Sequence, residues 1–312
     1  MSKINLLKTT GLIGGIVAGS WIVTKATSNV KPRTIKPFFT QPAPYVFAHR
    51  GGMALRPEHT RLAFDHALKY EVTGFEVDVR LTKDEVLVVT HDNTVDRTSN
   101  GSGYIGDHTL EELRQLDFGY HFKDINNEHP YRGDAKAKIV TLKELLTEYP
   151  DVLVNIDIKD HPESYSGSLA PSHLYRLITE LKAEDRVNIT SFYDEQIDRF
   201  NLYAQDSIAL GTGQSEVAKA FLAYQSGYGH TYQPKSDTFQ IPTQAKGLPL
   251  DSEGFIQFLT SLNISVAYWV VNQIDTMDDL IQKGAHTIVT DRPDTAHFLI
   301  KNTTNLKSFP SV

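Results

Sequence analysis

The chain has 312 residues, of which 40% are hydrophobic and 10% aromatic, so it can bury one large core and a single α/β barrel accounts for its length. Its formal net charge of −7 argues against nucleic acid as a partner, because binding to a phosphate backbone needs a basic surface. The absence of cysteine excludes disulfides, thiolate metal sites and a cysteine nucleophile.

The amino terminus combines a basic start with a short apolar run. Lys3 and Lys8 precede sixteen uncharged residues at 9–24, and Lys25 follows them. The run resembles an export signal, and it is slightly shorter than the ~20 residues of a membrane-spanning helix. We expect residues 1–26 to be a membrane anchor or a signal segment, with a soluble segment as the third alternative. An anchor or a signal would place the rest of the chain outside the cytoplasm, either attached to the cell membrane by a single span or secreted. Residues 27–44 contain four prolines and are expected to form a linker.

From residue 45 onward, apolar runs alternate with amphipathic stretches. The predicted strands cover 46–49, 75–80, 86–91, 152–158, 187–192, 208–211, 239–241, 266–271 and 287–290. The predicted helices cover 59–70, 110–115, 142–149, 172–183, 194–203, 252–262 and 276–283. This order is typical of a parallel sheet and predicts a (β/α)₈ TIM barrel over 45–300, followed by a tail at 301–312. Nine strands compete for eight places, so one is accessory, and 239–241 is the weakest candidate.

Two stretches depart from the regular alternation. Only 81–85 separates the second predicted strand from the third, which is too short for a crossover helix, so a tight turn is expected there. Residues 93–138 are rich in Asn, Gly, Asp and His and contain one short predicted helix. We interpret them as an insertion on the rim of the barrel, where long loops commonly form lids or specificity pockets.

Basic side chains stand where predicted strands end. His49 and Arg50 follow the first strand, His91 ends the third, and Lys159 follows the fourth. The carboxyl ends of parallel strands build the active site of a barrel, so we expect these groups on one rim. Two imidazoles can exchange protons near neutral pH, while an arginine and a lysine can bind phosphoryl oxygens. The set predicts phosphoester chemistry.

Three carboxylates lie on the same predicted strands. Because side chains alternate along a strand, Glu76 and Asp78 share a face, and so do Asp157 and Lys159. Carboxylates that point into a barrel are costly unless their charge is offset, so Glu76, Asp78 and Asp157 predict a site for a hard cation such as Ca²⁺ or Mg²⁺. The alternative is that they form ion pairs with Arg80 and Lys159.

Eight short motifs occur in one order along residues 45–294. They are Ala48-His49-Arg50-Gly51-Gly52, Pro57-Glu58-His59-Thr60, Phe75-Glu76-Val77-Asp78-Val79, Thr90-His91-Asp92, Asp96-Arg97-Thr98, Asn155-Ile156-Asp157-Ile158-Lys159, Tyr268-Trp269-Val270-Val271-Asn272 and Ile288-Val289-Thr290-Asp291-Arg292-Pro293. Each motif is weak alone. Together they resemble the glycerophosphodiester phosphodiesterase family, metal-dependent members of the phosphatidylinositol-phospholipase-C-like barrels.

The resemblance implies a metal-dependent hydrolase that cleaves glycerophosphodiesters to glycerol 3-phosphate and an alcohol, through a cyclic phosphate that water then opens. It also implies a role for each matching residue: general acid/base catalysis for His49 and His91, divalent-cation binding for Glu76, Asp78 and Asp157, substrate binding for Arg50, Lys159 and Trp269, and an uncertain site role for Glu58. The other interpretation of Glu58 is a helix-start carboxylate favoured by the helix dipole.

The family pattern and this sequence differ at two positions. The family usually has asparagine where this chain has His59, and glutamate where it has Asp157. Three alternatives to the implied function stay open. The same chemistry could act on lysophospholipids or glycerol-phosphate wall polymers, the barrel could be a phosphoinositide lyase, or it could be a membrane-tethered binding protein without catalysis.

Overall fold

The computed structural model describes residues 20–307. Eight parallel strands form the barrel: β1 (Tyr45–His49), β2 (Gly74–Leu81), β5 (Leu153–Ile158), β6 (Val187–Thr190), β7 (Ala209–Leu210), β8 (Thr238–Ile241), β11 (Ser265–Tyr268) and β12 (Thr287–Thr290). Four shorter strands pair in antiparallel fashion: β3 (Leu87–Val89), β4 (Val140–Thr141), β9 (Gln244–Ala245) and β10 (Leu248–Pro249). The prediction of a (β/α)₈ barrel is confirmed.

The barrel strands follow one another in the order β7, β6, β5, β2, β1, β12, β11, β8. The two ends of this order meet at Asp237, the residue before β8. Leu210 donates its backbone N–H to Asp237 Oδ2 at 3.0 Å, and Asp237 donates its own to the Leu210 carbonyl at 2.8 Å. One aspartate therefore joins β7 to β8 where the described strands form no ladder.

Ten α-helices occur among the described residues. They are α1 (residues 20–27), α2 (Arg61–Ala67), α3 (Leu110–Gln115), α4 (Leu142–Glu148), α5 (Tyr165–Glu180), α6 (Asp194–Ala204), α7 (Gln214–Gln225), α8 (Glu253–Thr260), α9 (Ile274–Gln282) and α10 (Pro293–Lys307). Side-chain caps begin several of them: Thr109 and Thr141 form capping boxes with glutamates three residues on. Such caps satisfy backbone N–H groups that have no partner within the helix.

Some helix boundaries differ from the predicted ones. Helix α5 begins at Tyr165 rather than at 172, because Ser164 caps it by accepting from the N–H of Gly167. His59 lies outside α2 with a left-handed φ of 58°, which a helix does not accommodate. Helices α7 and α10 were not predicted. The residue before α7 is Gly213, which offers no side-chain cap as a start signal.

The alternation of side chains along each strand separates the two faces of the barrel wall. On β1, Val46 and Ala48 face the helices and belong to the main hydrophobic core. Tyr45 and Phe47 point the other way and pack with Phe38, Leu153, Ala209 and Val289, which fill the amino-terminal end of the barrel. His49 follows on this inner face. This apolar and aromatic cluster therefore closes the amino-terminal end of the barrel interior, and the site lies at the other end.

The accessory strand among the nine predicted is β3, which pairs antiparallel with β2. The weakest candidate, 239–241, is instead a barrel strand, β8, paired with β11. A tight turn joins β2 to β3, as the short 81–85 segment predicts, with Thr82 donating its N–H to Val86 and Glu85 in a left-handed conformation at φ 60°. His91 therefore follows an antiparallel hairpin strand, not the end of a parallel barrel strand.

The long stretch after β3 packs around its own small core. The residues of this core are Val88, Val95, Ile105, Leu113, Phe118 and Ile139. Its only described α-helix is α3, and β4 returns the chain to β3 at its end. The stretch is therefore attached to the barrel through the β3–β4 pairing.

The segment that precedes the barrel contacts it at several points. Arg33 pairs with Asp206 and Asp237 under the barrel, and Phe38 is buried. In α1, Trp21 Nε1 donates to the Gly227 carbonyl at 2.9 Å. The residues expected to form a linker thus pack against the barrel. Most of the predicted anchor or signal, residues 1–19, lies outside the described residues, as do 308–312 of the tail. Within residues 20–307, none of the helices has the length and apolarity needed to span a membrane.

Candidate active site

The predicted polar groups meet at one rim, in a cavity of about 160 Å³. Eight of the nine predicted site residues line it: His49, Arg50, Glu76, Asp78, His91, Asp157, Lys159 and Trp269. Strands β1, β2 and β5 lie side by side, with His49 level with Glu76 and Asp78 level with Asp157. This register brings together side chains that are far apart in the sequence.

The three carboxylates form a compact cluster. Ligand atoms of Glu76, Asp78 and Asp157 lie within 4.8 Å of one another. One oxygen of each, Oε2, Oδ2 and Oδ1 respectively, is buried and accepts no hydrogen bond from the described part of the chain. Buried carboxylate oxygens normally accept hydrogen bonds, so three that accept none in one place fit a hard cation that prefers oxygen ligands.

Two cations offset part of this negative charge. Lys159 Nζ lies 2.7 Å from Asp157 Oδ2 and 3.0 Å from Asp78 Oδ1, and Arg50 Nε lies 3.3 Å from Asp78 Oδ2. Burial and then the charge of Asp78 raise the pKa of Glu76 to about 7, because both disfavour a charged carboxylate at this position. The ion pairs predicted as the alternative thus form with Lys159, but they involve other oxygens than the three that accept no hydrogen bond. Arg80 pairs with Asp160 instead.

His49 is held by a second carboxylate. Its Nδ1 lies 2.6 Å from Asp291 Oδ1, and its Nε2 lies 3.7 Å from Glu76 Oε2. An ionised carboxylate only accepts, so Nδ1 carries the proton and Nε2 is left for the cavity. Burial lowers the pKa of His49, but the hydrogen bond to Asp291 and the charge of Glu76 outweigh it, so the pKa is raised. Asn272 donates to the other Asp291 oxygen at 2.8 Å and fixes the pair.

His91 reaches the same rim through the β2–β3 hairpin. Strand β2 continues beyond the level of Asp78, turns, and returns as β3, so that Thr90 donates its N–H to the Asp78 carbonyl at 2.9 Å. The next residue, His91, then lines the cavity, with its side chain 35% exposed and its Nδ1 2.7 Å from Asp92 Oδ1. Each of the two site histidines thus has an aspartate on its Nδ1.

Glu58 lies behind the cavity and contacts two arginines. Arg50 Nη1 donates to it at 3.0 Å, and Arg97 donates to both its oxygens at 2.7 and 2.9 Å. Burial opposes ionisation, but the hydrogen bonds and charge of Arg97 and the charge of Arg50 lower the pKa of Glu58 to about 2. Arg97 also donates to Asp92 at 2.6 Å, so a chain of charged contacts runs from Arg50 to the partner of His91. This ion pairing, and not a helix dipole, accounts for Glu58.

Sequence and fold comparisons give one family. A model of the Glycerophosphoryl diester phosphodiesterase family matches residues 49–295. A glycerophosphodiester phosphodiesterase of Caldanaerobacter subterraneus subsp. tengcongensis is 32% identical over 259 residues, covering 82% of this chain and 97% of the relative. The chain belongs to the glycerophosphodiester phosphodiesterase family. Its enzymes are phosphoric diester hydrolases, and the resemblance of the eight motifs is confirmed.

Solved structures of family members share the barrel. The glycerophosphoryl diester phosphodiesterase domain of a Mycobacterium tuberculosis protein superposes with a TM-score of 0.73 at 19% identity, covering 82% of this chain and 99% of that domain. A phosphodiesterase of Oleispira antarctica, solved in complex with the product sn-glycerol-3-phosphate, gives 0.64 at 20% identity, covering 83% and 97%. At these identities the likeness establishes the fold.

Sequence reasoning did not select four side chains that position the site in this family member. They are Asp92, Arg97, Asn272 and Asp291, and each lies inside one of the eight motifs. Adjacency to His91 and the strand-end position of Asp291 were the available signals. The contacts themselves depend on loops from different parts of the barrel.

His59 also belongs to the site, although its ring is buried. It is 4% exposed, and its Nε2 accepts from the N–H of Asp78 at 3.3 Å, so the proton is on Nδ1. Burial lowers the pKa of His59 to about 3, and the ring is neutral. A neutral ring under Asp78 supports its backbone without adding charge to the carboxylate cluster.

Proposed function

We propose that this enzyme hydrolyses glycerophosphodiesters to glycerol 3-phosphate and an alcohol, with His49 and His91 as the acid/base pair and a divalent cation held by Glu76, Asp78 and Asp157. The observation that carries the proposal is the set of three buried carboxylate oxygens without hydrogen bonds among the described residues, which lies beside His49, whose Nδ1 is bound to Asp291. Names of the relatives and the product bound to the Oleispira antarctica enzyme support the substrate class.

The proposed roles follow from the contacts of each side chain. One imidazole takes a proton from the attacking oxygen and the other donates one to the leaving alcohol, and the aspartate on each Nδ1 holds the ring in place. Arg50 and Lys159 line the cavity and bind non-bridging phosphoryl oxygens. When bound, the cation, Ca²⁺ or Mg²⁺, offsets negative charge on the phosphoryl group.

Removal of the metal tests the proposal directly. The purified protein, stripped with a chelator, should lose release of glycerol 3-phosphate from glycerophosphocholine and regain it with Ca²⁺ or Mg²⁺. Asp157→Asn should weaken cation binding in calorimetry, whereas Glu111→Gln, an exposed carboxylate on α3, should bind as the wild type does. Activity that survives chelation, or a His49→Ala variant as active as the wild type, would overturn it.

The cellular location is a separate proposal from the sequence. The basic start and the apolar run at 9–24 lead us to infer that the catalytic barrel lies outside the cytoplasm, anchored or secreted. Protease accessibility of the barrel in intact cells tests this. Protection of the barrel until the cells are lysed would contradict it.

A further inference from the structure

A second cavity lies directly beside the catalytic one. It has a volume of about 320 Å³ and shares four wall residues with the catalytic cavity: Phe192, Thr212, Gln240 and Trp269. Phe192 and Trp269 pack edge to face, with ring centroids 5.8 Å apart, and form the boundary between the two spaces. A molecule bound at the catalytic rim can therefore extend into this second space, which we call the side compartment.

The chemistry of the two spaces is different. Seven titratable side chains line the catalytic cavity, whereas Lys246 is the only charged group among the residues that line the side compartment. Apart from Gly213 and the polar Gln214, the remaining wall is aliphatic and aromatic, and is formed by Val217, Ala218, Phe221, Ile241, Pro242, Ala245, Leu248 and Leu250. A cavity with this lining favours an apolar group.

The outer wall of the side compartment is the β9–β10 hairpin. Its turn residues, Lys246 and Gly247, have φ values of 50° and 78°. The hairpin is fixed at its base, because the buried Tyr268 hydroxyl donates to the Leu250 carbonyl at 2.8 Å. Its outer edge exposes Leu248, which is 50% accessible although apolar. The compartment thus has an apolar rim that opens to solvent.

A cationic alcohol such as choline does not suit the side compartment. Within residues 20–307, no carboxylate lines it, and Lys246 would repel a positive charge. One aromatic face is already used, because Lys159 Nζ lies 4.9 Å from the centre of the Phe192 ring. The hydrocarbon chain of an amphiphile needs neither charge nor hydrogen bonds, so it matches the lining.

We propose that the side compartment binds the hydrocarbon chain of a single-chain phosphodiester, so that amphiphilic diesters such as lysophospholipids are substrates. This rests on the proposed function. The reaction is unchanged: the bond from phosphorus to the leaving alcohol breaks, a water oxygen replaces it, and a water proton is transferred to the alcohol. The chain can be attached to the glycerol, as in a lysophospholipid, or to the leaving alcohol, as in an alkyl ester of glycerol phosphate.

The size of the side compartment sets the expected chain-length dependence. If a methylene takes about the volume of a water molecule, ~30 Å³, then 320 Å³ holds on the order of ten methylenes. Transfer of each methylene from water corresponds to an increase of roughly fourfold in kcat/KM until the space is full. The gain should then level off, whereas nonspecific partitioning would continue to rise with length.

The experiment compares two homologous series with glycerophosphocholine, all below their micellar concentrations. One series varies the acyl chain of lysophosphatidylcholine and the other the alkyl group of a glycerol phosphate ester. We expect kcat/KM to rise and level off in one series, which identifies the side of the diester that enters the side compartment. A flat response in both series, with glycerophosphocholine still hydrolysed, would overturn this inference and leave the proposed function intact.

Charged substitutions in the wall provide the second test. Val217→Glu on α7 and L248E on the hairpin should remove at least tenfold of the chain-dependent gain and leave glycerophosphocholine hydrolysis unchanged. The matched control is Leu222→Glu, on the same helix, 66% exposed and outside the side compartment. The readout is the ratio of kcat/KM values within each variant, so a general loss of activity does not affect it. Full chain dependence in both wall variants would refute the assignment.

Binding without turnover separates this inference from the proposed function. Octyl phosphate should bind the wild-type protein more tightly than inorganic phosphate in calorimetry, and the difference should shrink in Val217→Glu but not in Leu222→Glu. Equal affinity for the two ligands in the wild type would count against the side compartment even if no diester were hydrolysed.

Discussion

Replacement of Asp291 by asparagine should impair His49 without altering the residues that line the cavity. Asp291 uses one oxygen to accept from His49 Nδ1 at 2.6 Å and the other to accept from Asn272 Nδ2 at 2.8 Å. An amide has an NH2 donor in place of one of these oxygens, so one of the two donors, His49 or Asn272, would face another donor and lose its hydrogen bond. The substitution therefore removes the negative charge beside His49 and leaves only one of the two hydrogen bonds, from His49 or from Asn272.

The size of the effect follows from the bond that is lost. A hydrogen bond to a charged group contributes about 1.5–3 kcal/mol, which corresponds to a roughly 10- to 150-fold fall in kcat if it acts while His49 is positively charged. The loss of the carboxylate also lowers the pKa of His49, because Asp291 raises it in the native site. Whether His49 acts as acid or base, the limb of the pH–rate profile that it controls should move to lower pH.

The assay measures kcat and KM for glycerophosphocholine across the neutral pH range, at saturating cation. Asp294→Asn is the matched control, because Asp294 pairs with Arg292 and does not line the cavity. We expect the control to keep the wild-type profile. An Asp291→Asn enzyme with unchanged kcat and an unshifted profile would show that His49 does not depend on this partner.

Three further predictions concern the charged contacts around the barrel. Arg97→Ala should lower kcat/KM about tenfold, because Arg97 positions Glu58 and Asp92; an unchanged kcat/KM would exclude this positioning role. The pKa of Glu58 is lowered from 4.5 to about 2 in the folded protein, so ionised Glu58 contributes on the order of 3 kcal/mol to the free energy of unfolding. This contribution is present above pH 4.5 and is lost as the pH falls toward 2. The free energy of unfolding of Glu58→Gln should accordingly fall less steeply between pH 4.5 and pH 2 than that of the wild type. An equally steep fall in the two proteins would contradict this prediction. Arg33→Ala should destabilise the protein by about 3–5 kcal/mol in denaturant unfolding, because it leaves Asp237 buried and unpaired, and a loss below about 1 kcal/mol would refute the pairing argument.

Much of the candidate site was predictable from local sequence. Side chains alternate along a strand, which places Glu76 and Asp78 on one face. The end of a parallel strand places His49 at the rim of the barrel. The short 81–85 segment also predicted the hairpin turn correctly. These inferences succeed because they depend only on backbone geometry over a few residues.

Other features depended on contacts that no local pattern reports. The β3 strand was predicted with the same kind of apolar run as its neighbours, yet it is the one of the nine that lies outside the barrel. The 239–241 strand was the weakest candidate, but pairing with β11 places it in the barrel wall. Helix α7 has only Gly213 before it and gave no start signal. In each of these cases, contacts with distant parts of the chain decided the structure.

The sequence by itself determined the barrel class, the eight barrel strands in chain order, and eight of the side chains that line the catalytic cavity. It could do so because apolar periodicity and strand ends are local properties. Only the tertiary structure decided which charges hold these groups. Asp291 lies 242 residues from His49, and the two meet because β12 pairs with β1 when the barrel closes. The side compartment likewise exists only where α7, the β9–β10 hairpin and Trp269 come together in space.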